Sequence, residues 1–193
     1  MTIVFCDTET TGIDPRDSGA FEVAFLIYKD GKLVMEKLYH LNPLNDEVKW
    51  GEEAYKVNGV TEETIRSYPP FEAVVPEIIE DLKKYLSPEK YVFGGFKCGF
   101  DYGHIGALFY RAGFQISDYF SGRLIDVYDR AKQAMEDGDI PQTKDQKLKT
   151  LAKALNIDPG NSHTAMDDIK TTRRLYELLW YIQVKKEKKD GVR

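Results

Sequence analysis

The chain begins with an apolar run, Thr2-Ile3-Val4-Phe5-Cys6, that leads straight into Asp7-Thr8-Glu9. A run this short and this apolar reads as a strand buried on both faces of a sheet, yet it ends in two carboxylates. Side chains alternate along a strand, so Asp7 and Glu9 project to the same face. Neighbouring anions cost stability unless a positive charge lies between them. Oxygen-only donors suit a hard divalent cation such as Mg²⁺ or Mn²⁺. Thr10-Thr11-Gly12 follows as a sharp turn that leaves backbone N–H groups near that cation. The first dozen residues therefore read as half of a metal site.

At 193 residues and 42% hydrophobic, the chain has material for one well-buried domain, expected over 1–183 with a short charged tail at 184–193. The net charge of −5, from 27 basic and 32 acidic residues, argues against a broad basic surface for nucleic acid. It leaves room for a nucleic-acid enzyme whose positive charge is a bound metal. Cys6 and Cys98 are too few for a disulfide framework, which favours a reducing cytoplasm. The apolar start lacks a basic segment before it, and no stretch approaches the roughly 18 apolar residues of a membrane span. A cytoplasmic protein without a membrane partner is expected.

Phe21 to Tyr28 reads as a second strand, Asp30-Gly31 as a hairpin turn, and Lys32 to Leu41 as the partner strand. Pro43 to Tyr55 is a loop or short helix, and Thr61 opens another helix with acids in its first turn. Val74 or Val75, Ile78, Leu82 and Leu86 mark an amphipathic helix in which Pro76 is tolerable within the first turn. Tyr91-Val92-Phe93 is a short strand ending in Gly94-Gly95, and Asp101 to Ala112 a helix stopped at Gly113. Arg123 to Asp126 is a strand, followed by helices to about Met135, around Leu148–Leu155, and from about Thr164 to Tyr181. The tail Lys185 to Lys189 reads as solvated and frayed. Antiparallel strands first and strand–helix alternation later give an α/β domain with a mixed central sheet, its first three strands antiparallel, flanked by helices.

Two further acidic sites complement the opening pair. Asp101 follows the Gly-rich strand end, where open α/β sheets place ligand groups. His163-Thr164-Ala165-Met166-Asp167-Asp168 is the other. On one continuous helix His163 and Asp168 would point about 140° apart. They converge only if His163 lies in the loop before the helix, with Asn161-Ser162 as candidate cap residues.

Asp-x-Glu-Thr-x-Gly near the start, Phe-Asp in the middle and His-x-Ala-x-x-Asp near the end resemble the three motifs of the DEDDh 3′→5′ exonucleases. That family includes proofreading subunits of bacterial replicative polymerases, ribonuclease T and oligoribonuclease. Val57-Asn58-Gly59-Val60-Thr61 is similar to a recurring Val-His-Gly-Ile-Thr segment. The resemblance implies a ribonuclease H-like fold and two-metal hydrolysis of phosphodiesters. By position, Asp7, Glu9 and Asp168 would hold one Mg²⁺ or Mn²⁺, and Asp7 would bridge to a second, served by Asp101 directly or through water. His163 would be the general base, a role its ordinary pKa near 6.5 suits. Thr10, through its backbone, and Ile13, as an apolar floor or wedge, would meet the terminal nucleotide. Where the family often shows His-Asn, this chain has Phe96-Lys97. Lys97 would then meet a phosphate, and Phe96 a base or the core.

The implied partner is the 3′ end of single-stranded or frayed DNA or RNA, released as nucleoside 5′-monophosphates. Only Val184 to Arg193 lies beyond the expected fold, which leaves little room for an extension that binds a DNA polymerase partner. Two rivals remain: a non-catalytic nucleic-acid-binding or polymerase-accessory domain, and a haloacid dehalogenase-type phosphatase. In the latter the second acid would be Asp, and His163 would have no role.

The remaining candidates read as structural. Asp167 is expected to face solvent, Asp126 to be structural, and His40 and His104 to be surface residues. Trp50 and Tyr55 fit base stacking or core packing alike. Lys170, Arg173 and Arg174 read as phosphate contacts or as a solvated face.

Overall fold

Five strands form one sheet in the order β3-β2-β1-β4-β5. The computed structural model describes residues 2–85, 89–160, 164–189 and 191. β1 (Thr2–Thr10), β2 (Ala20–Lys29) and β3 (Lys32–His40) make an antiparallel meander, with Asp30-Gly31 at the tight turn. β4 (Tyr91–Gly95) adds parallel to β1, and β5 (Phe120–Asp126) parallel to β4. The strand expected at Arg123 starts three residues earlier, at Phe120. Its outer residues are largely exposed, so apolar pattern alone understates it.

The helices are α1 (Glu52–Asn58), α2 (Glu62–Arg66), α3 (Phe71–Tyr85), α4 (Gly99–Arg111), α5 (Val127–Glu136), α6 (Leu148–Ala154) and α7 (Ala165–Lys189). They divide between the two faces of the sheet. Val4 and Cys6 of β1, with Val23, Phe25 and Ile27 of β2, pack under α3 and α4. Ile3 and Phe5, with Ala24 and Leu26, pack under α5, α6 and α7. Burial of one such large apolar side chain contributes about 1.5–3 kcal/mol, and Phe5 and Phe25 are fully buried. The odd positions of β1 thus face α7 and the even ones α4. That alternation, continued past Cys6, decides where the polar end of the strand points.

Several expectations change. β1 does not stop at Cys6 but keeps pairing to Thr10. Thr11 donates its N–H to the Gly19 carbonyl and accepts from the Gly19 N–H, so the turn does not leave that N–H free. Pro76 lies in the second turn of α3, where proline deprives the Glu72 carbonyl of its partner. Val74, Val75, Ile78 and Leu82 hold the helix down regardless; Leu86 lies outside the described residues. α7 runs on through the lysine-rich segment to Lys189, where Lys186 bridges Asp137 and Asp139 beyond α5. Both cysteines are buried and unpaired. Among the described residues no helix is long and apolar enough to cross a membrane.

Candidate active site

Asp7 and Glu9 continue the Ile3–Phe5 face of β1, so they look toward α7. Asp168 lies in the first turn of α7. Thr164 caps that helix: its hydroxyl accepts the Asp167 N–H at 3.3 Å, and its carbonyl takes the Asp168 N–H at 3.0 Å. Side-chain oxygens of Asp7, Glu9 and Asp168 lie within 4.8 Å of one another, all three residues being partly buried. At an effective dielectric near 20, two full charges that close repel by about 3 kcal/mol. That exceeds the roughly 0–1 kcal/mol of a surface ion pair.

Burial and crowding raise the proton affinity of Asp7 and Glu9. Burial, then Asp101, Asp168, Glu9 and Glu22, pushes the Asp7 carboxyl well above the usual carboxylate range. Glu9 is pushed up to about 7 by burial and then by Glu22, Asp168 and Asp101. The charged neighbours named here are all acids. Three convergent carboxylate oxygen donors are what a hard divalent cation binds well, so the residues fit the metal that the motif implies.

Asp101 arrives from the other face. α4 follows β4, whose end closes tightly on β1: a Cβ on Gly95 would stand 2.8 Å from the Cys6 carbonyl oxygen. The Asp101 Oδ1 accepts from the Thr8 N–H at 2.9 Å and the Thr8 hydroxyl at 2.7 Å. Thr8 is the even residue between the two odd acids, so one strand end serves both sides. Burial raises Asp101 to about 7 against the lowering effect of the Thr8 bonds. His163 lies outside the described residues, as do Asn161 and Ser162.

Beside Glu9 opens a cleft of about 400 Å³, with Thr10, Ile13, Val57, Asn58 and Phe100 on its walls. Ile13 is 82% exposed at its rim, and the Asn58 amide donates to the Thr10 carbonyl at 3.4 Å. Phe96 and Lys97 lie elsewhere. Phe96 packs on the α7-side core, edge-on to Tyr128 with ring centroids 5.7 Å apart. Lys97 has φ +56°, donates its N–H to Asp126, and holds its ammonium 4.7 Å from the Tyr128 ring centre.

The structural candidates sort unevenly. Asp126 caps α5, accepting the Tyr128 N–H at 2.9 Å. Asp167 is partly buried against Gly160, not simply solvent-facing. His104 is not a surface residue: only 1% exposed, it stacks on Phe100 and joins the Ser18 hydroxyl at 3.1 Å. With Arg111, which donates to the carbonyls of Pro15, Arg16 and Ser18, it ties the loop carrying Ile13 to α4. His40 is exposed but contacts Glu22. Trp50 packs on the Phe21 cluster with Tyr55 at 6.2 Å. Lys170 pairs with Glu36 and Arg174 donates to the Asp158 carbonyl. Arg173 is no solvated charge; its guanidinium lies 4.1 Å from the Tyr28 ring centre and pairs with Glu177.

Glu22 is the residue that pattern reading passed over. It lies opposite Glu9 in the β1–β2 ladder, just before the ladder shifts register. A single acid on the Ala24–Leu26 face of an otherwise apolar strand is visible in the sequence.

The profile of the Exonuclease (RNase T) family matches residues 4–176. The chain belongs to this exonuclease family. Among curated proteins it is similar to the DNA polymerase III PolC-type of Oceanobacillus iheyensis, 26% identical over 188 residues, and to that of Thermotoga petrophila, 23% over 175. It is also similar to the 3′-5′ exonuclease DinG of Bacillus subtilis, 22% identical over 174 residues. These alignments take in 96%, 91% and 90% of this exonuclease-family chain but only 12%, 12% and 17% of the relatives. Among solved structures, E. coli exonuclease I in complex with a dA16 oligonucleotide superposes with a TM-score of 0.80 at 21% identity, over 95% of this chain and 42% of that one. The zinc-bound form of the exonuclease I–ssDNA complex gives 0.75 at 20% identity, over 93% and 43%. The shared architecture is the ribonuclease H-like sheet of these exonucleases.

Proposed function

We propose that the chain is a divalent-metal-dependent 3′→5′ exonuclease that shortens single-stranded DNA and releases nucleoside 5′-monophosphates. The observation that carries this is the convergence of Asp7, Glu9 and Asp168 within 4.8 Å, with Glu9 also lining the adjoining cleft. It is joined by membership of the exonuclease family and by the DNA-directed relatives named above.

Asp7, Glu9 and Asp168 would hold one Mg²⁺ or Mn²⁺, and Asp7 with Asp101 a second. When bound, the metals supply positive charge to the phosphoryl oxygens and make the attacking water more acidic. The chain's own groups do the rest. Thr8 fixes one oxygen of Asp101. Thr10 and Ile13 border the cleft where the terminal nucleotide would lie, so that its phosphodiester faces the carboxylates. His163 takes the proton of water as its oxygen attacks phosphorus. The bond to the 3′-oxygen of the penultimate nucleotide breaks, and the products are a nucleoside 5′-monophosphate and a new 3′-hydroxyl. The PolC-type relatives favour a DNA polymerase as partner, and copurification with a polymerase subunit would test it.

A 5′-labelled single-stranded oligodeoxynucleotide incubated with Mn²⁺ tests the reading. Stepwise loss from the 3′ end supports it; hydrolysis of a simple phosphomonoester with the oligonucleotide intact would instead favour the phosphatase rival.

A further inference from the structure

We propose that Glu22 is a positioning residue that sets the first turn of α7, and with it Asp168, against the end of β1. The inference rests, for its effect on metal, on Asp7, Glu9 and Asp168 being cation ligands. Glu22 comes from β2, 143 positions earlier in the chain than the helix it touches. Its Oε1 accepts the Ala165 N–H at 2.7 Å. That N–H is one of the donors a helix start leaves without an intrahelical acceptor. Its Oε2 lies 3.0 Å from His40 Nε2, and its side chain is only 12% exposed. Both oxygens are therefore engaged, and the carboxylate group that converges on a cation site comprises Asp7, Glu9 and Asp168 without it.

The location is costly: Glu22 raises the proton affinity of both Asp7 and Glu9. An acceptor there offsets that cost by satisfying the Ala165 N–H at the start of α7. Ala165 is fully buried and stands one turn before Asp168, about 4.5 Å along the axis. A tilt or slide at Ala165 passes directly to the Asp168 carboxylate. Asp168 is the one member of the cluster not carried by β1, so its register with Asp7 and Glu9 depends on how α7 docks.

The test pairs two variants. Glu22→Gln keeps the length and an oxygen acceptor but loses the charge; Glu22→Asp keeps the charge but falls one methylene short of Ala165. Mn²⁺ affinity is measured by calorimetry, with kcat and KM on a single-stranded oligodeoxynucleotide at saturating Mn²⁺. Glu22→Asp should bind Mn²⁺ about 10-fold or more weakly and lose a similar factor in kcat, with KM moved less than about threefold. Glu22→Gln should stay within about threefold of the parent chain in both. The reverse order, with Gln impaired and Asp normal, would make Glu22 a charge-supplying group and overturn the proposal, as would two unaffected variants. The Mn²⁺ measurement decides the matter even if the parent chain leaves the oligonucleotide intact, an outcome that sinks only the nuclease reading.

Discussion

Asp7, proposed above as a metal ligand, stands where an acid costs the fold stability. It is crowded by four acids, Asp101, Asp168, Glu9 and Glu22. Replacing it with Asn keeps the shape and removes the cost of holding an acid, ionised or protonated, in that crowded place. Without metal, Asp7→Asn should be more stable than the parent by about 1–3 kcal/mol, read as a higher denaturation midpoint. It should also lose the Mn²⁺-induced rise in Tm; a less stable metal-free variant would count against charge crowding. His163→Ala should lower kcat by about 10²–10⁴-fold while leaving the Mn²⁺ affinity intact, and equal losses in both would rule out a base. Asp7 and Glu9 were legible because strand alternation is a local rule, and Asp168 because its motif spacing is local too. The contacts of Glu22 and His104 are not legible, although Glu22 itself stands out as an acid on an apolar strand face. Glu22 with Ala165, and Ser18 with His104, are joined only by the tertiary fold, at separations of 143 and 86 positions.

At the level of elements, the start of α7 matters most. Thr164→Ala removes the cap, and should cost about 1 kcal/mol of stability together with a measurable loss of Mn²⁺ affinity, because Asp168 lies in the turn being capped. Stability loss without any change in Mn²⁺ binding would uncouple the helix start from the site. The buried strands and the amphipathic α3 were readable from periodicity. β5 was read short because its outward residues face solvent. At the end of α7, five residues dominated by lysine give no apolar stripe and so predict fraying, yet Lys186 finds Asp137 and Asp139 across the turn after α5. Phe96 and Lys97 stand at the position of a family motif, but the local backbone turns both toward Tyr128.

For the whole molecule, the proposed metal site would make stability depend jointly on pH and metal. Glu9 and Asp101 have folded-state pKa values raised to about 7, from 4.5 and 3.8. Raised acids favour the fold below the unfolded-state pKa, and that contribution is lost as pH rises from about 4 to about 7. Burial lowers the His104 pKa, which has the opposite effect below about 6.5. The two are separated by taking the Tm difference with and without Mn²⁺, since the proposed ligands are carboxylates and do not include His104. That difference should grow from pH 5 to pH 7.5 and level off above; a constant difference would mean that the cation binds elsewhere. The central claim is tested most directly by a 5′-labelled single-stranded oligodeoxynucleotide with Mn²⁺, using Asp7→Ala as the blank. The account predicts a ladder that shortens one nucleotide at a time from the 3′ end, with nucleoside 5′-monophosphates as product, in the parent chain alone. An intact oligonucleotide, or equal degradation by Asp7→Ala, would contradict it.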